Sequence, residues 1–162
     1  EMSAIRGLLQ TLVSLLKTDD LKHVAVAFDA MVSRTAANDR SESARLRSQY
    51  PLALDVVRAL GMTLWPMTRV QADDVIASAA LQYADHVERI VIFSSDQDFC
   101  QCLYDKVSLW NRSRRTVQTA EDVRSRYGVQ PARFAEYLAR VGDGSDGLPG
   151  VPGLVRRRRR PC

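Results

Sequence analysis

Arg89-Ile90-Val91-Ile92-Phe93-Ser94-Ser95-Asp96-Gln97-Asp98 is the stretch that decides the fold. Its first five residues form a short, β-rich apolar run and predict a buried strand. The run stops at once in a polar turn carrying two carboxylates. In open α/β sheets, functional groups gather beyond the carboxyl ends of the strands. The same pattern occurs upstream, where the apolar run at 23–28 (His-Val-Ala-Val-Ala-Phe) ends in Asp29. A third short strand is expected at 63–65, stopped by Pro66. Helical patterns separate these runs, so the fold class is α/β with a mainly parallel sheet covered on both faces.

The helical segments follow from apolar periodicity. Ile5, Leu8, Leu9, Leu12, Val13, Leu15 and Leu16 predict an amphipathic helix over 3–17. The segment 31–48 is polar and basic, with Arg34, Arg40, Arg45 and Arg47, and passes into a helix that Gly61 ends. Its charges fit either a mobile binding segment or a solvated loop. Gln71-Ala72-Asp73-Asp74 opens the next helix, with Val75, Ile76, Ala79, Ala80 and Tyr83 as its buried stripe. One of the two acids serves as helix cap, which leaves the other for different work. Residues 99–103 read as a short helical turn in which Cys100 is packing. Residues 107–110 and 116–118 read as a hairpin with Asn111–Arg115 as its basic tip. Thr119 and Asp122 form a capping-box pair for a helix that Gly128 ends. A last helix spans 131–141, with Phe134, Tyr137, Leu138 and Val141 on one face.

Totals bound the class. A chain of 162 residues with 46% hydrophobic and 26% charged residues is globular and long enough for a real core. The net charge of +4 includes five arginines at 156–160, which leaves the body at −1. Such a run binds phosphate backbones without sequence preference, or is a solvated end. Three cysteines without Cys-x-x-Cys spacing argue against a disulfide framework or a structural zinc, and fit a reducing, cytoplasmic setting. The apolar stretch at 7–16 is broken by Gln10, Thr11 and Ser14 and reads as a buried helix, not a signal peptide. No run is long enough to span a membrane.

The most informative loop is Asp143-Gly144-Ser145-Asp146-Gly147-Leu148-Pro149-Gly150-Val151-Pro152-Gly153. It places two carboxylates three apart in a stretch too rich in Gly and Pro for regular structure. Such a loop can turn both toward one hard cation. Its Gly-Val-Pro-Gly end leaves backbone amides bare, which suits a phosphate. A plain surface turn with Asp as turn former is the alternative. Asp29, Asp73, Asp74, Asp96, Asp98, Asp143 and Asp146 together would repel one another strongly unless divalent cations neutralised them. Oxygen-only ligation selects Mg²⁺ or Mn²⁺ over zinc. Two such ions about 4 Å apart are a standard device for phosphodiester hydrolysis, and need no protein nucleophile. None is evident: there is no Ser/His/Asp arrangement, no Gly-x-Ser-x-Gly and no Walker-type loop.

Four blocks, in order, carry a family resemblance: Phe28-Asp29-Ala30, Ala72-Asp73-Asp74-Val75, Ser95-Asp96-Gln97-Asp98 and the loop from Gly142 to Gly153. Together they resemble the 5′-to-3′ exonuclease domain of bacterial DNA polymerase I, of the flap endonuclease group within the PIN-like superfamily. The last block is the specific one. The resemblance implies a three-layer PIN-like fold over 1–141, a partial helix-hairpin-helix at 142–155 and a basic tail at 156–162. It implies two divalent ions, Mg²⁺ or Mn²⁺. Asp29, Asp73, Asp74, Asp96 and Asp98 would line the first site and act in catalysis, with Asp143 and Asp146 at the second. Arg34 and Arg40 would be remnants of a basic arch, and Gly150 and Gly153 would grip the DNA backbone through amides. The implied partner is DNA with 5′ ends, flaps or branches, with a DNA polymerase acting alongside, and the expected state is a monomer without membrane association.

The sequence also departs from the pattern. The family has Glu-Ala-Asp-Asp where Gln71-Ala72-Asp73-Asp74 stands. Its members open with a strand ending in a metal-binding Asp, ahead of the helix at 3–17. The helix that follows the Gly-Pro-Gly loop gives way here to the arginine run. These departures predict a fragment, or a diverged paralogue of reduced activity. The rival readings are a DNA-binding module that holds branched DNA without cutting it, and a PIN-type ribonuclease.

Overall fold

A computed structural model describes residues 3–29, 40–111, 113–144 and 147–152, the stretch 40–46 by its backbone alone. The chain divides into two compact units, Glu1–Val75 and Ile76–Cys162.

The first unit holds α1 (Ser3–Leu16), β1 (Ala25–Phe28), α2 (Arg40–Ala59), β2 (Thr63–Pro66) and the opening of α3 (Ala72–Tyr83). β1 and β2 pair in parallel, with Phe28 opposite Pro66. A parallel pair needs a crossover, and α2 supplies it. Pro66 is the last paired residue of β2, and the next amide, of Met67, still donates to the Phe28 carbonyl at 2.9 Å. The core comprises Leu12, Val57 and Met62, with Leu8, Leu15, Phe28 and Leu64 packed against them. The apolar stripe of α1 therefore faces α2 and the sheet, as its periodicity predicts. Gly61 has φ 71° at the end of α2, as expected of its cap.

The second unit continues α3 and adds β3 (Ile90–Phe93), a 3₁₀ turn (Asp98–Cys102), β4 (Val107–Asn111) and β5 (Thr116–Gln118). α4 (Ala120–Tyr127), a 3₁₀ turn (Pro131–Arg133) and α5 (Phe134–Val141) follow. β3 and β4 pair in parallel, and β4 and β5 form the expected antiparallel hairpin. Ile92, Phe99, Cys100, Leu109, Val123 and Phe134 form the core. The rings of Tyr127, Phe134 and Tyr137 meet at 5.0–5.6 Å. α4 begins with the predicted capping box: the Asp122 amide donates to Thr119 Oγ1 at 3.3 Å, and the Thr119 amide to Asp122 Oδ2 at 2.8 Å.

Two expectations are corrected. Tyr83 is 47% exposed and does not belong to the buried stripe of α3, since the helix ends there and its last turn faces solvent. Asn111 is not part of the hairpin tip. It is the last residue of β4 and is 4% exposed, because inward positions alternate along the strand as Val107, Leu109 and Asn111. Among the described residues, no helix is long and apolar enough to cross a membrane.

Candidate active site

In the first unit, β1 delivers Asp29 to the start of α3. Its Oδ1 accepts the Ala72 amide at 2.6 Å, across 43 residues of sequence. The Tyr50 hydroxyl donates to the Asp29 carbonyl at 3.2 Å, and the Tyr50 ring meets Phe28 edge-on at 5.9 Å. Asp29 therefore caps α3. The sequence offered Asp73 or Asp74 for that role; a carboxylate just beyond the end of β1 takes part in it. Asp73 and Asp74 occupy the first turn of α3, where the unsatisfied amides and the helix dipole favour negative charge. Three carboxylates thus share one helix end. As neighbours in sequence, Asp73 and Asp74 point in different directions around it.

In the second unit, the turn after β3 is organised by its own side chains. The Asp96 amide donates to Ser94 Oγ at 3.1 Å, and the Asp98 amide donates to Asp96 Oδ1 at 2.9 Å. The second bond is an Asx-type turn that starts the 3₁₀ segment and sets Asp98 beside Asp96. Asn111 donates through Nδ2 to the Ser95 carbonyl at 3.4 Å and accepts the Arg114 amide at 3.0 Å. Sequence reasoning missed this residue. The available signal was the inward alternation of Val107 and Leu109, which puts the next polar side chain inside.

The Gly-rich loop is tightly built in its described part. Asp143 and Leu148 exchange backbone hydrogen bonds at 3.0 and 2.8 Å, and Asp143 is 3% exposed. Gly142 and Gly150 have φ of 83° and 68° and lie backbone to backbone. A Cβ on Gly150 would sit 2.5 Å from the Gly142 nitrogen and from the Val141 carbonyl carbon. Only glycine fits both the conformation and the approach. The expectation of bare amides is corrected at Val151, whose N–H donates to the Arg140 carbonyl at 2.8 Å. Pro152 has none to offer. Arg34, Asp146 and Gly153 lie outside the described residues, as does the side chain of Arg40, which opens α2.

Among the described residues, no three His, Cys, Asp or Glu side chains form a ready metal cluster. Asp29 instead holds the first amide of α3, whose first turn carries Asp73 and Asp74, and Asp96 and Asp98 share one turn. The thiols do not compete as ligands. Burial pushes the Cys100 thiol up to about 11, against the opposing pull of Arg126, and burial raises Cys102 as well. Burial thus favours the protonated thiols and works against nucleophilic reactivity there. An all-oxygen donor set of this kind fits a hard divalent ion.

Known proteins match this architecture. The chain is 30% identical over 158 residues to a 5′-3′ exonuclease of Buchnera aphidicola subsp. Schizaphis graminum, covering 92% of this chain and 55% of that protein. It is 34% identical over 166 residues to DNA polymerase I of Mycobacterium leprae, covering 94% of this chain and 18% of the polymerase. It thus spans about half of the exonuclease and under a fifth of the polymerase. Bacteriophage T5 5′-exonuclease with bound zinc superposes with a TM-score of 0.75 at 20% identity, over 94% of this chain and 64% of its own. The T5 flap endonuclease in a pseudo-enzyme–product complex with DNA and metal ions gives 0.71 at 21% identity, over 93% and 62%. At that identity the likeness establishes the fold, which is the PIN-like α/β fold expected from the sequence. Residues 1–128 match the family described as 5′-3′ exonuclease, N-terminal resolvase-like domain. The chain belongs to this 5′-3′ exonuclease family.

Proposed function

We propose that the domain hydrolyses DNA phosphodiester bonds as a divalent-metal-dependent 5′-to-3′ exonuclease and flap endonuclease. The observation that carries this reading is the self-organised turn Ser94–Asp98, which presents two carboxylates at the carboxyl end of a parallel strand. The grouping of Asp29, Asp73 and Asp74 at the start of α3 supports it. Asp29, Asp73, Asp74, Asp96 and Asp98 are the residues that would hold one ion, with Asp143 and Asp146 for a second. Mg²⁺ and Mn²⁺ suit these oxygens. Ions bound there would activate the attacking water and stabilise the leaving oxygen.

The chain's own groups do the rest. Asp29 orients the helix end that carries Asp73 and Asp74. Asp96 orients Asp98. Arg34, Arg40 and the amides of Gly150 and Gly153 would hold the phosphate backbone, and the arginine run at 156–160 would add affinity without sequence preference. The relatives named DNA polymerase I support a polymerase working on the same DNA. One observation favours a second reading, a module that binds DNA and cuts it slowly: Gln71 stands beside Ala72 where the resemblance expects Glu, and brings no charge.

Melting in increasing Mn²⁺ tests the metal reading, because ions that bind only the folded protein raise its melting temperature. The rise should disappear when Asp96→Asn and Asp98→Asn are combined. A melting curve unchanged across millimolar Mn²⁺ and Mg²⁺ would overturn it. Cleavage of a 5′-flap DNA, with hairpin RNA as comparison, separates the nuclease from the binding module and from a ribonuclease.

A further inference from the structure

Asn111 lies where β4 outruns its partner. The β3–β4 register ends at Phe93 opposite Trp110, with their rings edge-on at 5.2 Å. Asn111 is one residue farther on, beside the chain as it leaves β3 and becomes the acidic turn. A buried primary amide costs free energy unless its donors and acceptor are used. Here Nδ2 donates to the Ser95 carbonyl at 3.4 Å, and Oδ1 accepts the Arg114 amide at 3.0 Å.

The Ser95 carbonyl and the Asp96 amide belong to one planar peptide unit. Asn111 holds its oxygen, and Ser94 Oγ holds its nitrogen at 3.1 Å. A peptide plane held at both ends cannot rotate freely. The direction in which the Asp96 side chain leaves the backbone is then set. Asp96 Oδ1 in turn accepts the Asp98 amide at 2.9 Å and passes that orientation on. One buried amide on β4 thus stands at the head of a relay ending at Asp98. An apolar residue would fill the same inward position of the strand but would leave the Ser95 carbonyl without this donor.

We propose that Asn111 is a positioning residue that fixes the Ser95–Asp96 peptide, and through it the presentation of the Asp96 and Asp98 carboxylates to a divalent cation. This rests on the metal-dependent reading above, and the test separates the two. Metal-free wild type, Asn111→Ala and Asn111→Asp are compared by amide hydrogen exchange and by Mn²⁺ binding, read from the electron paramagnetic resonance of free Mn²⁺. Asn111→Asp keeps the shape and the acceptor for Arg114, removes the donor to Ser95 and adds a negative charge. It remains informative should the alanine variant fold poorly.

In both variants the amides of Asp96 and Asp98 should exchange about tenfold faster, with the Val123 amide in the core unchanged. Mn²⁺ affinity should fall about tenfold, as when a group that orients a metal ligand is lost. It should fall even for Asn111→Asp, where charge alone would raise it. Equal acceleration at Val123, or unchanged exchange at Asp96 and Asp98, would overturn the positioning role. So would a rise in Mn²⁺ affinity for Asn111→Asp. A wild type that binds no Mn²⁺ would instead overturn the metal reading, while the exchange data still decide whether Asn111 holds the turn.

Discussion

The bond from the Ala72 amide to Asp29 Oδ1 makes a prediction that separates two roles of one carboxylate. At 2.6 Å it is short and charge-assisted, and it satisfies an amide at the start of a 12-residue helix that has no intrahelical partner. Removing a side-chain cap of this kind costs about 1 kcal/mol, within a range of roughly 0.5–2. The charge adds roughly 0.3–1 kcal/mol through the helix dipole, toward the lower end here because Asp29 is exposed. Asp29→Ala should therefore destabilise the protein by about 1.5 kcal/mol. For a chain of this length that corresponds to about 3–6 °C in melting temperature. Asp29→Asn keeps an oxygen that accepts the same hydrogen bond and loses only the charge term, so about 1–2 °C is expected. The assay is thermal unfolding followed by circular dichroism in EDTA, so that no bound metal contributes. Repeating it in Mn²⁺ reads the other role: both variants should show a smaller metal-induced rise than wild type, because both have lost the charge. Wild-type melting of Asp29→Ala in EDTA would refute the capping bond. Equal losses for Ala and Asn in EDTA would show that charge, not the acceptor, stabilises the helix end.

Other consequences follow from the same geometry. Gly150→Ala puts a Cβ 2.5 Å from backbone atoms at φ 68°, so the left-handed conformation alone costs roughly 1–2 kcal/mol; limited proteolysis should cut the loop at 142–152 faster in the variant. Gln71→Glu returns a carboxylate beside Ala72 and should raise Mn²⁺ affinity about fivefold, the ~1 kcal/mol of attraction between a unit charge and a divalent ion roughly 8 Å apart in a water-like dielectric; unchanged affinity by calorimetry would remove position 71 from the metal's surroundings. Cys100 ionises near 11 in the folded protein against 9.0 for an ordinary thiol, so the unfolded chain gives up this proton first. The resulting stability is fully present below pH 9 and is lost as pH rises toward 11, and urea titrations should show a shallower alkaline decline for Cys100→Ala.

Local chemistry was legible without coordinates. The 3.6-residue periodicity of Ile5, Leu8, Leu12 and Leu15 specifies α1, because a helix repeats its neighbours within one turn. Thr119 and Asp122 announce the start of α4, because a capping box is complete within four residues. The apolar runs ending in Asp29 and in Ser94–Asp98 indicate strands with acids at their carboxyl ends, and the four motif blocks imply the family. Tertiary structure alone decided which atoms meet. Asp29 reaches Ala72 across 43 residues. Asn111 reaches back to Ser95, and the Gly142 and Gly150 backbones touch in a loop whose composition says only that it is neither helix nor strand. Val151 spends its amide on Arg140, where the loop sequence alone left it bare. Each of these is a single hydrogen bond or close approach between residues distant along the chain. Such a meeting leaves no period and no composition to read, because it exists only once the strands are paired and the helices are packed.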